Sequence, residues 1–593
     1  MSDVSFKSSL PFTSCEEPQR AENPLEQHLR DCAHILRRSV ADFISPILVL
    51  LFYKRLSDIC EEQHADSRLH DHAARPRFCV PEGFRWADVR RISSYRGAAV
   101  HRSLHAIAVN QPDLANLFDS VDFADQARYP EPVLEQLLAR FDRVRLRRSD
   151  VSPGMLGDAC EHLREQSAEE TNLWGSGFFT PLAVARLMVA LIDPHEHDSI
   201  YDPVCGSARF LVEACRHLER NGHDPRSLAL YGEERLVTNT RLSLLLHGIS
   251  HATIACSDAL TEPHFLEPKL RPHVEPRLRR FDRVLGNPPF SLTPWGYDRW
   301  SDGDAYARDG YGCPPRARGD FAFLLHMIES LADHGRMAII MSRGALNRGS
   351  AEQRIRERIL QKDLIEAVIE LDPKLFVGTT APVALLLLRR DKPLDRRGKV
   401  LLVPSNVDDA SGRKRTVLGK AASDRILHSV QCFTEDSGFS RVVTLDELKI
   451  HGYNLSVSSY LQTNDTFIQK NSEGTRRVLR DELDVFSAEI TAAQAKLDKA
   501  RQDRDVHSTA ILNRVGGNHP QTAGEYPRGW KLVELREIIV DKLTDGMGLP
   551  KSKPEAEVLY IRQTQLKQDG FVDVETAESL RLSHSDYSRY ELR

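Results

Sequence analysis

No two cysteines in this sequence stand at Cys-x-x-Cys spacing, and the ten present are scattered. Neither a zinc ribbon nor a disulfide framework is indicated, and a reducing cytoplasm fits. Long apolar runs are missing too. The most apolar stretch, FISPILVLLFY from Phe43 to Tyr53, is too short to span a bilayer and contains a proline. The opening MSDVSFKSSLPF lacks the charge pattern of a signal peptide. No Walker phosphate loop and no carboxylate–lysine nuclease cluster can be found, so any DNA cleavage requires another chain. Excess positive charge is absent as well: 80 Lys and Arg face 85 Asp and Glu, a formal net charge of -5. That withholds the global basic footprint carried by many nucleic-acid binders. Two local basic clusters, Arg140 to Arg148 and Arg271 to Arg283, are each open to two readings, a solvated face or a patch that tracks phosphates. His195 and His197 in PHEHD fall in a turn before a strand, and no metal site is expected there.

What is present describes a soluble globular chain of three or four domains: 593 residues, 41% hydrophobic and 28% charged. Residues 1–23 read as a disordered tail. From 24 to 166 apolar residues recur at helical spacing, as in LEQHLRDCAHILRRSVADFISPILVLLFYKRLSDICEEQ, which predicts an α-helical domain. From 167 to 465 short apolar runs alternate with helix-like segments such as ARFLVEACRHLER and DFAFLLHMIESLADHG. The runs are SIYDPVC, LALYGEE, ATIACSD, RFDRVLGN, RMAIIMS, IEAVIELD and VALLLLRR. This alternation predicts an α/β domain with a mainly parallel, Rossmann-like sheet. The last two runs are joined by PKLFVGTTAP, too short for a crossover helix, and read as an antiparallel hairpin on the sheet edge. Residues 466–520 read as a helical or coiled-coil connector, in which Leu479, Leu483, Phe486, Ile490, Ala493 and Leu497 fall at heptad spacing, suited to packing within the domain or to docking a partner. Residues 521–593 read as a small, strand-rich module.

Ligands of doubly wound sheets bind beyond the carboxyl ends of the strands. In the α/β region the first run ends in YDPVCGSARF, where Gly206 and Ser207 open a helix and let backbone N–H groups approach a ligand. The second ends in YGEER, which places Glu233 or Glu234 where an acid could grip the two hydroxyls of a ribose. The third ends in CSDAL, where Asp258 could accept from an exocyclic amine. The fourth ends in GNPPF: two prolines fix the backbone between Asn287 and Phe290. Glycine-rich turn, acid, acid and Asn-Pro-Pro-Phe, in that order, are consistent with a nucleoside-containing cofactor beside a pocket for an amino group.

From Trp174 to about Leu461 the sequence resembles the modification subunit of type I restriction–modification systems, the N6-adenine DNA methyltransferases. Their G-x-(F/Y)-(F/Y)-T-P segment is matched by Gly177, Phe178, Phe179, Thr180 and Pro181, and their D-P-x-C-G-S-G turn by Asp202, Pro203, Cys205, Gly206 and Ser207. Gly232 and Glu234 match the G-x-E after the second strand, which favours Glu234 as the ribose ligand, and Asp258 matches the acid after the third. The catalytic tetrapeptide corresponds to Asn287, Pro288, Pro289 and Phe290. Downstream text (YGCPPRARGDFAFLLHM, GRMAIIMSRGALNRGSAEQRIRERIL, GYNLSVSSYL) and the helical N-terminal region are similar as well. The resemblance implies a class I methyltransferase fold that uses S-adenosyl-L-methionine to methylate N6 of a flipped-out adenine. It also implies double-stranded DNA, a specificity subunit or second modification–specificity chain, and a separate restriction–translocase subunit as partners, in a bacterial cytoplasm without membrane attachment. The final segment, YPRGWKLVELREIIVDKLTDG onward, resembles the start of a target-recognition domain; the expectation is a fragment of a longer fusion or a module completed by another chain.

Where that family continues its turn with Gly-Gly-Phe-Leu, this chain has Ala208, Arg209, Phe210 and Leu211. Ala208 is retained among the cofactor-binding residues. Arg209 has two readings, outward into solvent or crowding the methionine moiety. Two alternatives to the DNA-methylating reading follow: a DNA-binding scaffold that has lost turnover, or a methyltransferase acting on RNA or on protein amide nitrogen.

Overall fold

A computed structural model describes residues 23–40, 42–67, 78–171, 180–268, 276–372, 375–376, 382–404 and 418–460, with 556–560 and 578–582. The chain divides into two compact units, Met1–Gln462 and Thr463–Arg593. In the second, Ala556–Tyr560 pairs antiparallel with Glu578–Leu582. The expected N-terminal tail (1–22), the heptad seam and most of the recognition-like segment lie outside the described residues.

Among the described residues, six α-helices open the first unit: α1 (Pro24–Leu36), α2 (Ile44–Ser67), α3 (Trp86–Arg90), α4 (Arg96–Asn110), α5 (Glu131–Phe141) and α6 (Pro153–Thr171). Asn23 caps α1 by accepting from the Leu25 N–H, with Pro24 at the first helical position where no N–H is needed. Residues 47–53 of α2, Ile47 to Tyr53, are all buried, so this helix is wrapped on every side and forms the bundle's axis. Its Lys54 and Asp58 form a buried pair at 2.5 Å, and Asp58 and Arg55 reach the backbone of Leu146. No helix among the described residues is long and apolar enough to cross a membrane. Ser167, near the expected domain boundary, lies inside α6.

The sheet region follows as α7 (Leu182–Ile192), β1 (Ser199–Asp202), α8 (Arg209–Arg220), β2 (Ala229–Glu234), α9 (Val237–Leu246), β3 (Thr253–Cys256), β4 (Phe281–Gly286), α10 (Asp320–Glu329), β5 (Leu331–Ser342), α11 (Arg343–Asn347), α12 (Ser350–Gln361), β6 (Ile365–Leu371), β7 (Val383–Arg389), β8 (Lys399–Val403), α13 (Lys420–Cys432), β9 (Arg441–Thr444) and α14 (Leu445–Ile450). The strands form one sheet in the order β3-β2-β1-β4-β5-β7-β6-β8-β9. β1 to β5 are parallel, and β7 runs antiparallel between β5 and β6. All seven expected strands are present. The β6–β7 hairpin is antiparallel as its short connection requires, but it is not the sheet edge: β8 pairs with β6 and β9 with β8. KVLLV is a legible apolar run; RVVT is too short to stand out. The helix expected through DFAFLLHMIESLADHG stops at Glu329, and Leu331 already pairs with Phe281 in the sheet.

The helical bundle shares its core with the sheet domain. Leu242 and Leu246 of α9 belong to the bundle's buried cluster. Arg164 of α6 donates to Ser243 Oγ and to the Asn239 carbonyl, and Arg241 reaches the carbonyls of Asp113 and Ala115. The fit is tight at Gly157 of α6, where an added Cβ would stand 1.9 Å from His247 Nδ1. Gly157→Ala is therefore expected to destabilise the chain by about 1–3 kcal/mol in urea unfolding, although alanine is the better helix former by roughly 1 kcal/mol. Unchanged or higher stability would show that α6 and α9 are not in van der Waals contact here.

Candidate active site

The carboxyl ends of β1, β2, β3 and β4 lie side by side, as the order β3-β2-β1-β4 dictates. Beyond β1 the chain turns through Val204 to Ala208 into α8. Asp202 Oδ1 accepts from the Val204 N–H at 3.0 Å, and Cys205 N–H donates to the Glu233 carbonyl at 3.0 Å. The turn can approach β2 this closely because Gly232 has no side chain: a Cβ there would meet Cys205 Sγ at 2.8 Å. Gly206 adopts φ +51° and is exposed, while Pro203, Cys205 and Ala208 are buried. Ala208 itself sits at φ +63°, ψ +24°, the left-handed region, just before α8. This explains the glycine of the similar family at that position and implies a strain of about 1–2 kcal/mol for a side chain there.

The two acids that end β2 have separate surroundings. Glu233 is fully buried; its Oε1 accepts from Tyr201 Oη at 2.8 Å and its Oε2 from Ser257 Oγ at 2.7 Å and the His264 N–H at 3.3 Å. Glu234 is part-exposed and accepts from the N–H groups of Gly206 (3.0 Å), Arg235 (2.8 Å) and Leu236 (3.3 Å). Oε1 takes the last two of these bonds and Oε2 the first, so Oε2 keeps a further lone pair and Glu234 can still take a hydroxyl donor. Leu236, two residues on, is 81% exposed, an apolar side chain standing in solvent beside that acid. An apolar residue following G-x-E was a readable signal that sequence reasoning passed over. Asp258, half-buried after β3, caps its own turn by accepting from the Leu260 and Thr261 N–H groups.

At the end of β4, Asn287 Nδ2 donates to Thr180 Oγ1 at 2.9 Å across 107 residues. Thr180 is buried, and Pro181 begins α7. Thr180, expected with the cofactor residues, thus stands against the amide of the tetrapeptide; Gly177, Phe178 and Phe179 lie outside the described residues. Pro288 is buried, while Pro289 and Phe290 are half-buried. After Phe290 the chain turns sharply at Ser291, φ +51°, whose N–H donates to Asp320 Oδ2 at 3.2 Å. Ser342 Oγ donates to the other Asp320 oxygen at 3.1 Å. Asp320, the acid of GDFAF, holds the exit of the tetrapeptide from the first turn of α10, a role the sequence reading had not assigned.

Arg209 follows neither expected course. Its side chain is only 6% exposed and its guanidinium runs to α6, where it pairs with Glu161 and, at 3.0 Å, with Glu165. Burial opposes the charge on Glu161, but Arg209 and then Arg164 overcome it and hold that carboxyl down at about 2. His247 nearby is pushed down to about 4, chiefly by burial. Within the basic clusters Arg140 pairs with Asp31, Arg280 with Asp333 at 2.9 Å and Arg283 with Asp198 at 3.1 Å, while Arg143, Arg145 and Arg148 are exposed.

Residues 151–467 match the family model described as N-6 DNA Methylase, and residues 25–141 that of the HsdM N-terminal domain. The type I restriction enzyme MjaVII methylase subunit of Methanocaldococcus jannaschii is 28% identical over 502 residues, 79% of this chain and 83% of that protein. The HindI methylase subunit of Haemophilus influenzae is 26% identical over 323 residues, 52% of this chain and 69% of its own length. The crystal structure of a type I restriction-modification system methyltransferase subunit from Streptococcus thermophilus superposes with TM-score 0.64 at 23% identity, covering 74% of this chain and 99% of that one. A modification subunit of a putative type I restriction enzyme from Vibrio vulnificus gives 0.54 at 19% identity, covering 73% and 94%. These two likenesses concern the fold.

Burial, aided by the Glu234 charge and opposed by the Val204 N–H, raises the Asp202 carboxyl to about 8. The folded protein therefore holds a proton that the unfolded chain releases above about pH 4. The stability this contributes is complete below about pH 4 and is lost as pH rises through about 8, at up to about 1.4 kcal/mol per pH unit. Asp202→Asn should remove that slope from unfolding curves measured between pH 5 and 8 while keeping the acceptor for Val204. Identical pH dependence in both proteins would place the titration elsewhere.

Proposed function

We infer, from the premise that this chain belongs to the N-6 DNA methylase family, that its strand-end site transfers a methyl group from S-adenosylmethionine to N6 of an adenine in double-stranded DNA. The observation that carries this reading is the Asn287–Thr180 hydrogen bond at the end of β4. With the amide nitrogen donating to Thr180, the other polar atom of the side chain, Oδ1, is an acceptor.

The site suits the cofactor on three counts. Gly206 lets backbone approach a ligand, part-exposed Glu234 can take a ribose hydroxyl, and exposed Leu236 offers an apolar face to a purine. Asp202, Pro203, Cys205, Gly206, Ser207 and Ala208 would hold its methionine side, Asp258 its adenine amine, and Gly177, Phe178, Phe179 and Pro181 are included by resemblance, with Thr180 turned to Asn287 instead. When bound, S-adenosylmethionine supplies an electrophilic methyl group on a sulfonium.

The chain's own residues prepare the nucleophile. The exocyclic amine of adenine is weak because its lone pair is delocalised into the ring. Asn287 Oδ1 and the Pro288 carbonyl each accept one of its hydrogens, which localises the lone pair and aims it. Pro289 has no N–H and stiffens the turn, so the two acceptors need little reorganisation as charge develops. The base must leave the duplex, at a cost of a few kcal/mol, and stacking on Phe290 returns roughly 1–3 kcal/mol.

Family membership supports a place as the methylase subunit of a type I-like restriction–modification system. There a specificity subunit, or a second modification–specificity chain, reads the sequence and a separate subunit restricts. The scaffold alternative rested on the Ala208-Arg209 change, and of that pair the Arg209 guanidinium is bound by α6.

The full chain, with its specificity partner, labelled S-adenosylmethionine and duplex DNA, is expected to produce N6-methyladenine; label appearing in RNA or protein instead overturns the substrate. Asn287→Ala should abolish transfer with cofactor affinity nearly unchanged, and turnover within about tenfold of wild type removes it from the chemistry. Glu234→Ala and Asp258→Ala should weaken calorimetric cofactor binding first. Thr180→Val, nearly isosteric, should lower kcat by about tenfold or more with affinity within about twofold, the signature of lost aim and intact binding.

A further inference from the structure

The segment between β4 and α10 leaves the tetrapeptide and folds back onto the chain just after Asp258. Trp300 Nε1 donates to the Leu260 carbonyl at 3.3 Å, and Arg299 to the Thr261 carbonyl at 2.6 Å. Gly296 lies so close that a Cβ would meet Thr261 Cγ2 at 2.6 Å. The centre of this contact is Arg308, 1% exposed. Its Nη1 donates to the Ala259 carbonyl and its Nη2 to the Leu260 carbonyl, both at 3.0 Å. Asp304 balances its charge at 2.6 and 2.8 Å, and the guanidinium stacks 4.2 Å over the Trp300 ring.

From Arg308 a chain of hydrogen bonds runs under the sheet end. Arg308 Nη1 faces His326 Nδ1 at 3.3 Å, His326 Nε2 faces Tyr201 Oη at 2.9 Å, and Tyr201 Oη donates to Glu233 Oε1 at 2.8 Å. The direction is forced. A guanidinium only donates, so Nδ1 accepts and the imidazole is neutral with its proton on Nε2. Tyr201 then accepts from His326 and donates its own O–H to the Glu233 carboxylate, keeping the proton. Burial, with Arg308 beside it, drives His326 well below its ordinary range, which keeps this arrangement in place. Glu233 ends the chain by holding Ser257 Oγ and the His264 N–H. Asp258 is therefore gripped from both sides, at Ser257 by Glu233 and at Ala259 and Leu260 by Arg308.

We propose that Arg308, His326 and Tyr201 are positioning residues for the cofactor, a clamp by which the segment on the target-base side of the site holds the Asp258 turn and sets cofactor affinity. The proposal rests on the reading of Glu234 and Asp258 as cofactor ligands. None of the three residues needs to touch the cofactor. They act by fixing the backbone that carries Asp258 and the carboxylate adjoining Glu234.

The test leaves Arg308 in place, since its removal would strand the buried Asp304. Tyr201→Phe deletes only the hydroxyl and keeps the ring stacked on Phe281, 4.4 Å between centroids. In the full chain it should raise the calorimetric Kd for S-adenosylmethionine about tenfold, with kcat at saturating cofactor within about twofold and DNA affinity unchanged. His326→Leu should do the same. His326→Gln, which retains an acceptor for Arg308 and a donor for Tyr201, should recover most of the affinity. A purely structural role would lower the melting temperature in all three without this split. If Asp258→Ala weakens cofactor binding while folded Tyr201→Phe and His326→Leu bind as wild type, the clamp is wrong and the site reading survives. Unaltered binding in both Glu234→Ala and Asp258→Ala overturns the site reading and the clamp with it.

Discussion

Glu233, a carboxylate buried at the end of the second strand, draws three strand ends into one surface. Removing such a charge from water is expensive unless its oxygens are fully hydrogen-bonded. Tyr201 satisfies one oxygen, and Ser257 and His264 satisfy the other. The partners come from β1 and from the chain after β3, so the cost of burial can be met only when β1, β2 and β3 end in register. Its backbone carbonyl also holds Cys205, and so the glycine turn that follows. The neighbouring Glu234 is left part-exposed, facing the turn. Strand alternation turns the two adjacent glutamates to opposite sides, and the distant partners on one side bury Glu233 while Glu234 stays part-exposed.

The helical bundle braces the same corner from outside. α8 starts at the glycine turn and α9 just after Glu234, and the bundle grips both. Arg209 carries α8 to Glu161 and Glu165 of α6, while Leu242, Leu246 and the packing of Gly157 against His247 hold α9. α8 is thereby fixed at its start and α9 along its second half, by a domain that contributes no strand to the sheet. Buried ion pairs are poor sources of net stability, because desolvation consumes most of their attraction. The Arg209 pairs are better understood as fixing the angle at which α8 leaves the turn, where Ala208 is held in a left-handed conformation.

On the other side of β1, the tetrapeptide is fixed at both ends by residues distant in sequence. Thr180 orients the Asn287 amide, and Asp320 holds the backbone at Ser291. The prolines restrict the backbone between them, so an acceptor pair is presented with little freedom left to lose. Preorganisation of this kind is how a site lowers a barrier without tighter ground-state binding.

The sequence by itself determined the alternation of strands and helices, the antiparallel final hairpin, the helical character of the N-terminal region and the positions of the glycine turn, the two acids and Asn-Pro-Pro-Phe at successive strand ends. These follow from local physics: side-chain period, proline and glycine backbone limits, and connection length. The tertiary structure decided what depends on partners far along the chain. It separated Glu233 from Glu234, turned Arg209 into α6, set Thr180 against Asn287, and placed β8 and β9 outside the hairpin. It also assembled Arg308, His326 and Tyr201 into one donor chain. No local rule could give these, because a buried polar group takes its role from whichever distant donor or acceptor satisfies it.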